Sequence, residues 1–401
     1  MNVTYVARSF LDYRVPVLAA LSERLGGRLH LIYNAGYVPE RAQAKARQVL
    51  GDRAIGMTGE LRFDPNPGAH AEMANSTVRL VYQPGMMKAI AATRPDVLVA
   101  DGFFQWTAFA LAWRLRHGTP LVVCYERTFH TERGAQWFRR LYRHLALKLV
   151  DAMTVNGRLS LEYTQSLGMP RERITTGHMV ADTDGLAAGA AALSEAEQRQ
   201  IRQRWGEPDT VFIAVGKLNQ RKGIKELLHG WSALERRHPG NWKLVLIGDG
   251  PDEDALKALA AELGITGVIF HGLANYDEIA RFYAAADVMV MPTLEDNWSL
   301  VVPEAMACGL PVLCSIHNGC HPELVHNDVN GWTFDPLDRE DTVRALSACL
   351  DNRLRLPAMG EESRRIVGGH TPAVAAQAIL DACHLALAHR QGTARAHPAR
   401  P

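Results

Sequence analysis

Cysteine is scarce, with six residues in 401 (Cys124, Cys308, Cys314, Cys320, Cys349 and Cys383), scattered and never spaced as C-x-x-C. A disulfide scaffold and a zinc ribbon are thereby excluded, and a reduced, cytoplasmic setting is expected. No stretch reaches the roughly 18–20 uncharged apolar residues that crossing a bilayer requires. Met1–Ala7 has no charged region followed by an apolar block, so it reads as a first strand and not as a signal peptide. Low-complexity tracts and fixed-period repeats are missing too. With 47% apolar and 22% charged residues, disorder, collagen and coiled coil are ruled out.

At this length two domains are expected. The formal charge of +1 conceals a dipole, since residues 1–180 carry 23 Lys+Arg against 14 Asp+Glu (+9), which leaves −8 for the rest. An anionic partner for the first half, such as a membrane surface, explains this, and so do two oppositely charged domains. Nothing in the pattern calls for nucleic acid.

Short apolar runs alternate with amphipathic helical segments. The strands are Val3–Ala7, Leu29–Tyr33, Val97–Ala100, Leu121–Cys124, Met153–Val155 and Ile174–Thr176, then Val211–Val215, Lys243–Ile247, Val268–Phe270, Val288–Met291, Val312–Cys314 and Trp332–Phe334. Such alternation means α/β architecture: two doubly wound, Rossmann-like domains with parallel sheets, facing across a cleft. The expected boundaries are a first domain over 1–185, a linker over 186–205 and a second domain over 206–370. A helix over 371–390 is placed to pack back on the first domain, and 391–401 form a frayed tail. Residues 36–80 fit no clean pattern. Ligands of open parallel sheets bind beyond the carboxyl ends of the strands, which directs attention to the loops there.

Strand Val211–Val215 ends in Gly216-Lys217-Leu218-Asn219-Gln220-Arg221-Lys222-Gly223, and a helix follows. Two lysines beside a helix N-terminus suit a pyrophosphate; a solvated basic turn explains the same residues equally well. The next strand runs into Gly248-Asp249-Gly250-Pro251. After Met291 comes an acidic loop with Glu295, Asp296 and Asn297, then a helix that Ser299 can cap and Gly309 with Pro311 can stop. Asp296 and Glu304 could each face a sugar ring, or be helix-start acids. His317 and His321 flank Cys320, but no helix covers both and no carboxylate completes a ligand set, so no metal is expected.

These segments together resemble the retaining family 4 glycosyltransferases. Gly216-Lys217 with Lys222-Gly223, the Gly248–Pro251 turn, Asp296 with Glu304-Ala305-Met306-Ala307-Cys308-Gly309-Leu310-Pro311-Val312, and Asn318-Gly319 with Pro322-Glu323 stand in that family's order and spacing. The resemblance covers nearly all of 205–340 and, more weakly, Val150–Asp184. It implies the GT-B fold, a nucleotide-diphosphate sugar as donor, retention at the anomeric carbon, and no cofactor. It also implies a glycan or lipid-linked acceptor, as in lipopolysaccharide or exopolysaccharide synthesis at the inner face of the cell membrane. Lys217 and Lys222 would bind the diphosphate, Glu304 the ribose, and Asp296 would lie by the donor sugar. Gly216, Gly248, Glu295, Asn297 and the amides of Asn318, Gly319 and Cys320 would complete the donor site, with His271 and Gly272 lining the base pocket. A nucleotide-sugar epimerase and a catalytically silent binding protein share these features.

Three departures from the family pattern stand out. Asp296 occupies its first acidic position with Glu295 alongside, and Lys217 replaces a more usual arginine. The loop Arg8–Pro16 lacks the family's glycines, which points Arg14 or Arg8 into the cleft. In the first domain His130, in the loop after Leu121–Cys124, is the candidate catalytic histidine, with Glu126 and Arg127 competing for that role. Asp182-Thr183-Asp184 reads as a turn and helix cap. On the helix Gln136–Val150, Phe138, Leu141 and Leu145 read as a core stripe with solvated arginines, an anionic bilayer surface being the alternative.

Overall fold

All twelve apolar runs form parallel strands in a computed structural model of the chain, which describes residues 1–63 and 80–396. In chain order the strands are β1 Val3–Ala7, β2 Leu29–Asn34, β3 Ala54–Met57, β4 Leu61–Phe63, β5 Leu80–Tyr82, β6 Val97–Asp101, β7 Leu121–Tyr125, β8 Ala152–Val155 and β9 Ile174–Thr176. They continue with β10 Thr210–Val215, β11 Trp242–Ile247, β12 Val268–Gly272, β13 Val288–Met291, β14 Val312–Ser315 and β15 Gly331–Phe334. The first sheet has the order β3-β2-β1-β6-β7-β8-β9 and the second β12-β11-β10-β13-β14-β15; β4 and β5 pair as a separate antiparallel ribbon.

Part of the stretch without a clean pattern is ordered: it holds the helix Glu40–Leu50 and edge strand β3. Four residues containing a glycine, only one of them buried, give β3 too little apolar signal to be read from sequence. Residues 64–79 of that stretch lie outside the described residues, as do 397–401 of the expected tail. Residues 391–396 are not frayed, since they finish the helix Pro372–Ala396.

The chain divides into two compact units, Met1–Val180 with the helix from Pro372 onward, and Ala181–Thr371. The segment read as a linker is instead two helices, Thr183–Ala191 and Glu195–Arg204. Asp182 caps the first by accepting from the Gly185 amide at 3.2 Å, and a Ser194–Glu197 capping box starts the second. These local signals outweigh the Ala-rich composition that suggested a tether.

Alternation along each strand sends successive side chains to opposite faces, and helices cover both. In the first unit Val3, Tyr5, Leu29, Val97 and Val122 share one face with the C-terminal helix, while Val6, Ile32, Leu98 and Val123 face Trp106, Leu111 and Met153. Residues 353–391 form the one candidate membrane span among the described residues, and Ala375, Ala376, Ile379, Ala382, Cys383 and Ala386 within it pack in this core. In the second unit Phe212, Leu244, Leu246, Val288 and Val290 bury against Leu227, Leu228 and Trp231.

Candidate functional site

Each sheet has a point where the strand order reverses, between β1 and β6 in the first and between β10 and β13 in the second. Loops that leave such neighbours in opposite directions open a crevice at their carboxyl ends. In the second unit those loops are 216–223 and 292–300, which carry Gly216, Lys217, Lys222, Glu295, Asp296 and Asn297.

Close backbone approach fixes this corner. Gly223 begins the helix Ile224–Arg237 at φ +67°, and a Cβ there would stand 2.0 Å from the Pro292 carbonyl oxygen. Gly248, at φ +138°, leaves similarly little room beside the Gly216 carbonyl. The Gly216 amide donates to Ile247 O and the Gly248 amide to Gly272 O, both at 2.9 Å, so the ends of β10, β11 and β12 form one ledge. His271 is exposed on that ledge, its ring edge-on to Phe282 at 4.6 Å.

Lys217 and Lys222 line one small pocket with Gly216, Met291 and Pro292. Lys217 is exposed and makes no ion pair among the described residues. Lys222 is largely covered and donates to Asp296 Oδ2 at 2.7 Å. Burial alone would raise the Asp296 pKa, but the Lys222 ammonium, its hydrogen bond and the Arg221 charge outweigh burial and hold it below its usual value. The first amides of the following helix lack intrahelical partners and point their dipole at the same corner.

Between Asp296 and Glu295 the structure is unambiguous. Asp296 faces Lys222, whereas Glu295 is buried beneath the loop, its carbonyl accepting from Thr293 Oγ1 at 3.3 Å. Asn297 is half-buried, and its Oδ1 accepts no hydrogen bond among the described residues. Asp296 also bridges to Asn318: its amide donates to His317 O at 3.3 Å and its carbonyl accepts from Gly319 at 3.0 Å. The Asn318 amide donates to Ser315 O at 3.1 Å, and the Cys320 amide to Asn318 Oδ1 at 3.3 Å. Of the three amides expected to meet the donor, that of Gly319 ties loop 316–320 to loop 292–300, whereas those of Asn318 and Cys320 are engaged within their own segment. His317 turns to Asp335 at 3.0 Å. Ser299 is buried and does not cap the helix Val301–Ala307, which starts at Leu300 without a side-chain cap.

Glu304 sits in the first turn of that helix, almost wholly buried, and Tyr283 donates to its Oε2 at 3.2 Å. Burial pushes its pKa up to about 8, the Tyr283 hydrogen bond opposes the rise, and the Asp182 charge adds to it.

In the first unit the arginines are committed. Arg14, a candidate with Arg8 to face the cleft, is buried: it pairs with Asp101 Oδ1 at 3.0 Å, contacts the Tyr5 hydroxyl and donates to His178 O at 3.1 Å. The partly exposed Asp101 carboxylate, the Tyr5 hydroxyl and the His178 carbonyl give the internalised guanidinium its partners. Arg8 pairs with Glu60 at 2.7 Å. Arg127 turns to Glu132 at 3.5 Å, and Arg143, itself buried, reaches the same carboxylate at 2.6 Å. Glu126 and His130 are half-buried in the turn after β7, a turn held by Thr128 and Thr131.

The core stripe on the helix Trp137–Leu147 is corrected as well. Arg143, Ala146 and Leu147 form its inner face, so Trp137, Phe138, Leu141 and Leu145 are 75%, 40%, 49% and 52% exposed. Sequence reasoning also passed over Arg221, Tyr283 and Asp101. Arg221 stood inside the basic loop 216–223, and Tyr283 and Asp101 had no local signal beyond their places near strand or helix ends.

A Glycosyl transferases group 1 family model matches residues 196–366, and a Glycosyltransferase Family 4 model matches 18–184. Sulfoquinovosyl transferase SQD2 of Arabidopsis thaliana is 29% identical over 304 residues, 72% of this chain and 55% of that protein. D-inositol 3-phosphate glycosyltransferase of Nocardia farcinica is 33% identical over 227 residues, 55% and 49% of the respective lengths. The chain thus spans about half the length of these curated relatives. Among solved structures, Anabaena HepE in complex with UDP superposes with a TM-score of 0.72 at 17% identity, covering 95% of this chain and 99% of that one. WaaG, a glycosyltransferase involved in lipopolysaccharide biosynthesis, superposes at 0.60 and 15% identity over 96% and 99%.

Proposed function

We propose, from the premise that this chain belongs to the family 4-type GT-B glycosyltransferases, that it moves a sugar from a nucleoside-diphosphate sugar to an acceptor hydroxyl with retention of anomeric configuration. The observation that carries this reading is the corner of the second unit where Lys217 and Lys222 meet Asp296 at the strand-order reversal.

As the bond between the anomeric carbon and the phosphate oxygen breaks, negative charge gathers on the departing diphosphate. Lys222, Lys217 and the amides opening the helix Ile224–Arg237 are preorganised to neutralise it, and preorganised charge of this kind is the main source of rate acceleration in such a reaction. Lys222 has three N–H donors, so its bond to Asp296 leaves two for phosphate oxygens. The acceptor oxygen attacks from the face the phosphate leaves, a new carbon–oxygen bond forms, and its proton passes to the departing phosphate oxygen. Asp296 then lies beside the sugar, and Glu304 beside the ribose. No bound metal is needed, since the lysines supply the positive charge.

Thermal-shift titration with UDP, GDP and dTDP, then with their sugars, tests the donor site. UDP comes first because HepE was solved with UDP and UDP-glucose. A shift with one nucleotide that Lys222→Ala abolishes supports the reading; no shift with any of them rejects it.

The acceptor is assigned to glycoconjugate synthesis at the cytoplasmic face of a membrane. All six cysteines are free, buried thiols, as a reducing compartment requires. The exposed Trp137, Phe138, Leu141 and Leu145 run beside Arg140 and His144 on the same helix and Lys148 just past its end, an arrangement that suits anionic lipid. Co-sedimentation with phosphatidylglycerol vesicles but not with phosphatidylcholine alone is expected, with loss in Trp137→Ala/Leu141→Ala. Equal sedimentation with both vesicles would remove the membrane from the proposal.

A further inference from the structure

Glu304 keeps one carboxyl oxygen without a protein partner among the described residues. Its side chain is almost wholly buried in the first turn of the helix Val301–Ala307, which follows loop 292–300. Tyr283 donates to Oε2 at 3.2 Å, whereas Oε1 accepts no hydrogen bond among the described residues. Tyr283 comes from the helix Ile279–Ala284, whose Ile279, Ala280 and Tyr283 turn inward. A phenol hydroxyl sealed from water needs an acceptor, and Glu304 is the one the fold supplies. A phenylalanine would fill the same space, so packing alone does not ask for the hydroxyl.

Two other ionisable groups act on this carboxyl. Asp182 caps the helix Thr183–Ala191, which packs against both helices, and Cys308 ends the Glu304 helix itself. Both are engaged elsewhere: Asp182 accepts from the Gly185 amide at 3.2 Å, and the Cys308 thiol donates to Leu186 O at 3.6 Å. Burial disfavours the Glu304 charge most, the Tyr283 hydrogen bond opposes burial, and the Asp182 charge adds to it. The Tyr283 hydroxyl is thus the group that both orients the carboxyl and favours its ionised form.

A carboxyl group turns about its final bond, and an acceptor that is free to turn must be ordered at a cost when a ligand arrives. A hydroxyl bound to one oxygen removes that freedom and leaves the lone pairs of the other in a set direction. The geometry points to Tyr283 as a positioning residue: it orients Glu304 so that Oε1 accepts a hydrogen bond from one ribose hydroxyl of the nucleotide, which makes the donor site selective for ribonucleotides over deoxyribonucleotides. This rests on the transferase reading above and adds to it the residue that sets ribose selectivity.

Calorimetric titration of the full chain with UDP and GDP, their 2′-deoxy and 3′-deoxy analogues and dTDP tests it, from about pH 6 to pH 9. The native chain is expected to bind at least one deoxy analogue about ten-fold or more weaker than its ribonucleotide at the alkaline end. That ratio, in which the titration of the phosphates cancels, should rise as Glu304 ionises. Tyr283→Phe is expected to cut the ratio by at least about three-fold, with the affinity for the deoxy analogue kept, and to move its rise to higher pH. In Glu304→Gln the same tyrosine change should leave the ratio unaltered. If Tyr283→Phe fails to fold, 3-fluorotyrosine at position 283 keeps the shape with a more acidic hydroxyl, and the rise is expected at lower pH. A ratio near one in the native chain, a preference for dTDP, a ratio and onset unmoved by the tyrosine changes, or an effect that persists in Glu304→Gln would overturn the inference. Nucleotide binding in any of those cases leaves the donor reading standing, whereas no binding of any nucleotide sinks that reading and the inference with it.

Discussion

The Lys222 ammonium lies 2.7 Å from the Asp296 carboxylate, joining two loops whose residues are 74 positions apart in the chain. The pair holds both groups at the strand-order reversal of the second sheet, the corner proposed for the diphosphate and its sugar. Without a ligand each neutralises the other, so neither charge stands uncompensated in a partly dry corner.

Lys222→Ala removes the charge-assisted bond proposed to the leaving group and is expected to cost about 2–3 kcal/mol of transition-state stabilisation, or roughly 30- to 150-fold in kcat/KM. Lys217→Ala is expected to lose less, because its exposed ammonium is screened by water. Steady-state transfer or donor-hydrolysis rates decide, and near-normal turnover by the first variant would count against the proposed chemistry.

Asp296 titrates below its usual value, so its pair adds stability that is present above the unfolded carboxylate pKa and lost as pH falls through the folded one. Denaturation between pH 2 and 5 is expected to show a shallower acid limb for Asp296→Asn than for the native chain.

Glu304 behaves oppositely. With its pKa pushed up from 4.5 to about 8, it binds a proton on folding at intermediate pH, so stability drains as pH rises across that interval. Glu304→Gln keeps a partner for Tyr283 and removes the titration. Its stability is expected to match the native chain near pH 4 and to exceed it by roughly 2–4 kcal/mol at pH 8.5. Donor affinity should fall in the same variant, since an amide replaces the carboxyl group proposed to hold the ribose. Equal unfolding curves at pH 8.5 would refute the buried-acid account.

Gly223→Ala drives a methyl group to 2.0 Å from the Pro292 carbonyl oxygen in a left-handed backbone. The β10 and β13 loops must part, at a cost of at least about 3 kcal/mol. A lowered melting temperature with lost nucleotide response is expected; a native melt would show that the loops have room.

Arg143→Ala leaves the buried Glu132 charge with Arg127 as its ion-pair partner among the described residues, at 3.5 Å, and is expected to cost about 3–5 kcal/mol in denaturant unfolding. Glu132→Leu/Arg143→Met, with no charge left to bury, should recover at least half of that loss.

Much of the scaffold was legible because its signals are local. The short apolar runs of β1 and β10, buried on both faces, and the period-3.6 stripes on the helices are each written within a dozen residues, as are the glycines that turn the chain at strand ends. The strand β3 escaped since an edge strand of four residues buries too little to leave a pattern. The helix Trp137–Leu147 shows the limit of periodicity. Its sequence contains an apolar stripe and a basic one, and which stripe turns inward depends on Glu132 waiting to pair with Arg143.

By itself the sequence determined the two parallel sheets, the loops that carry Lys217, Lys222, Asp296 and Glu304, and the lysine-bearing turn of the second unit. Only tertiary structure decided that Lys222 would pair with Asp296 and not Glu295, that the Gly319 amide would bond to Asp296 O, and that Arg14 would turn inward to Asp101, 87 residues away. The reason is physical: backbone periodicity is written into neighbouring residues, whereas a buried charge takes whichever partner the completed sheet brings within reach.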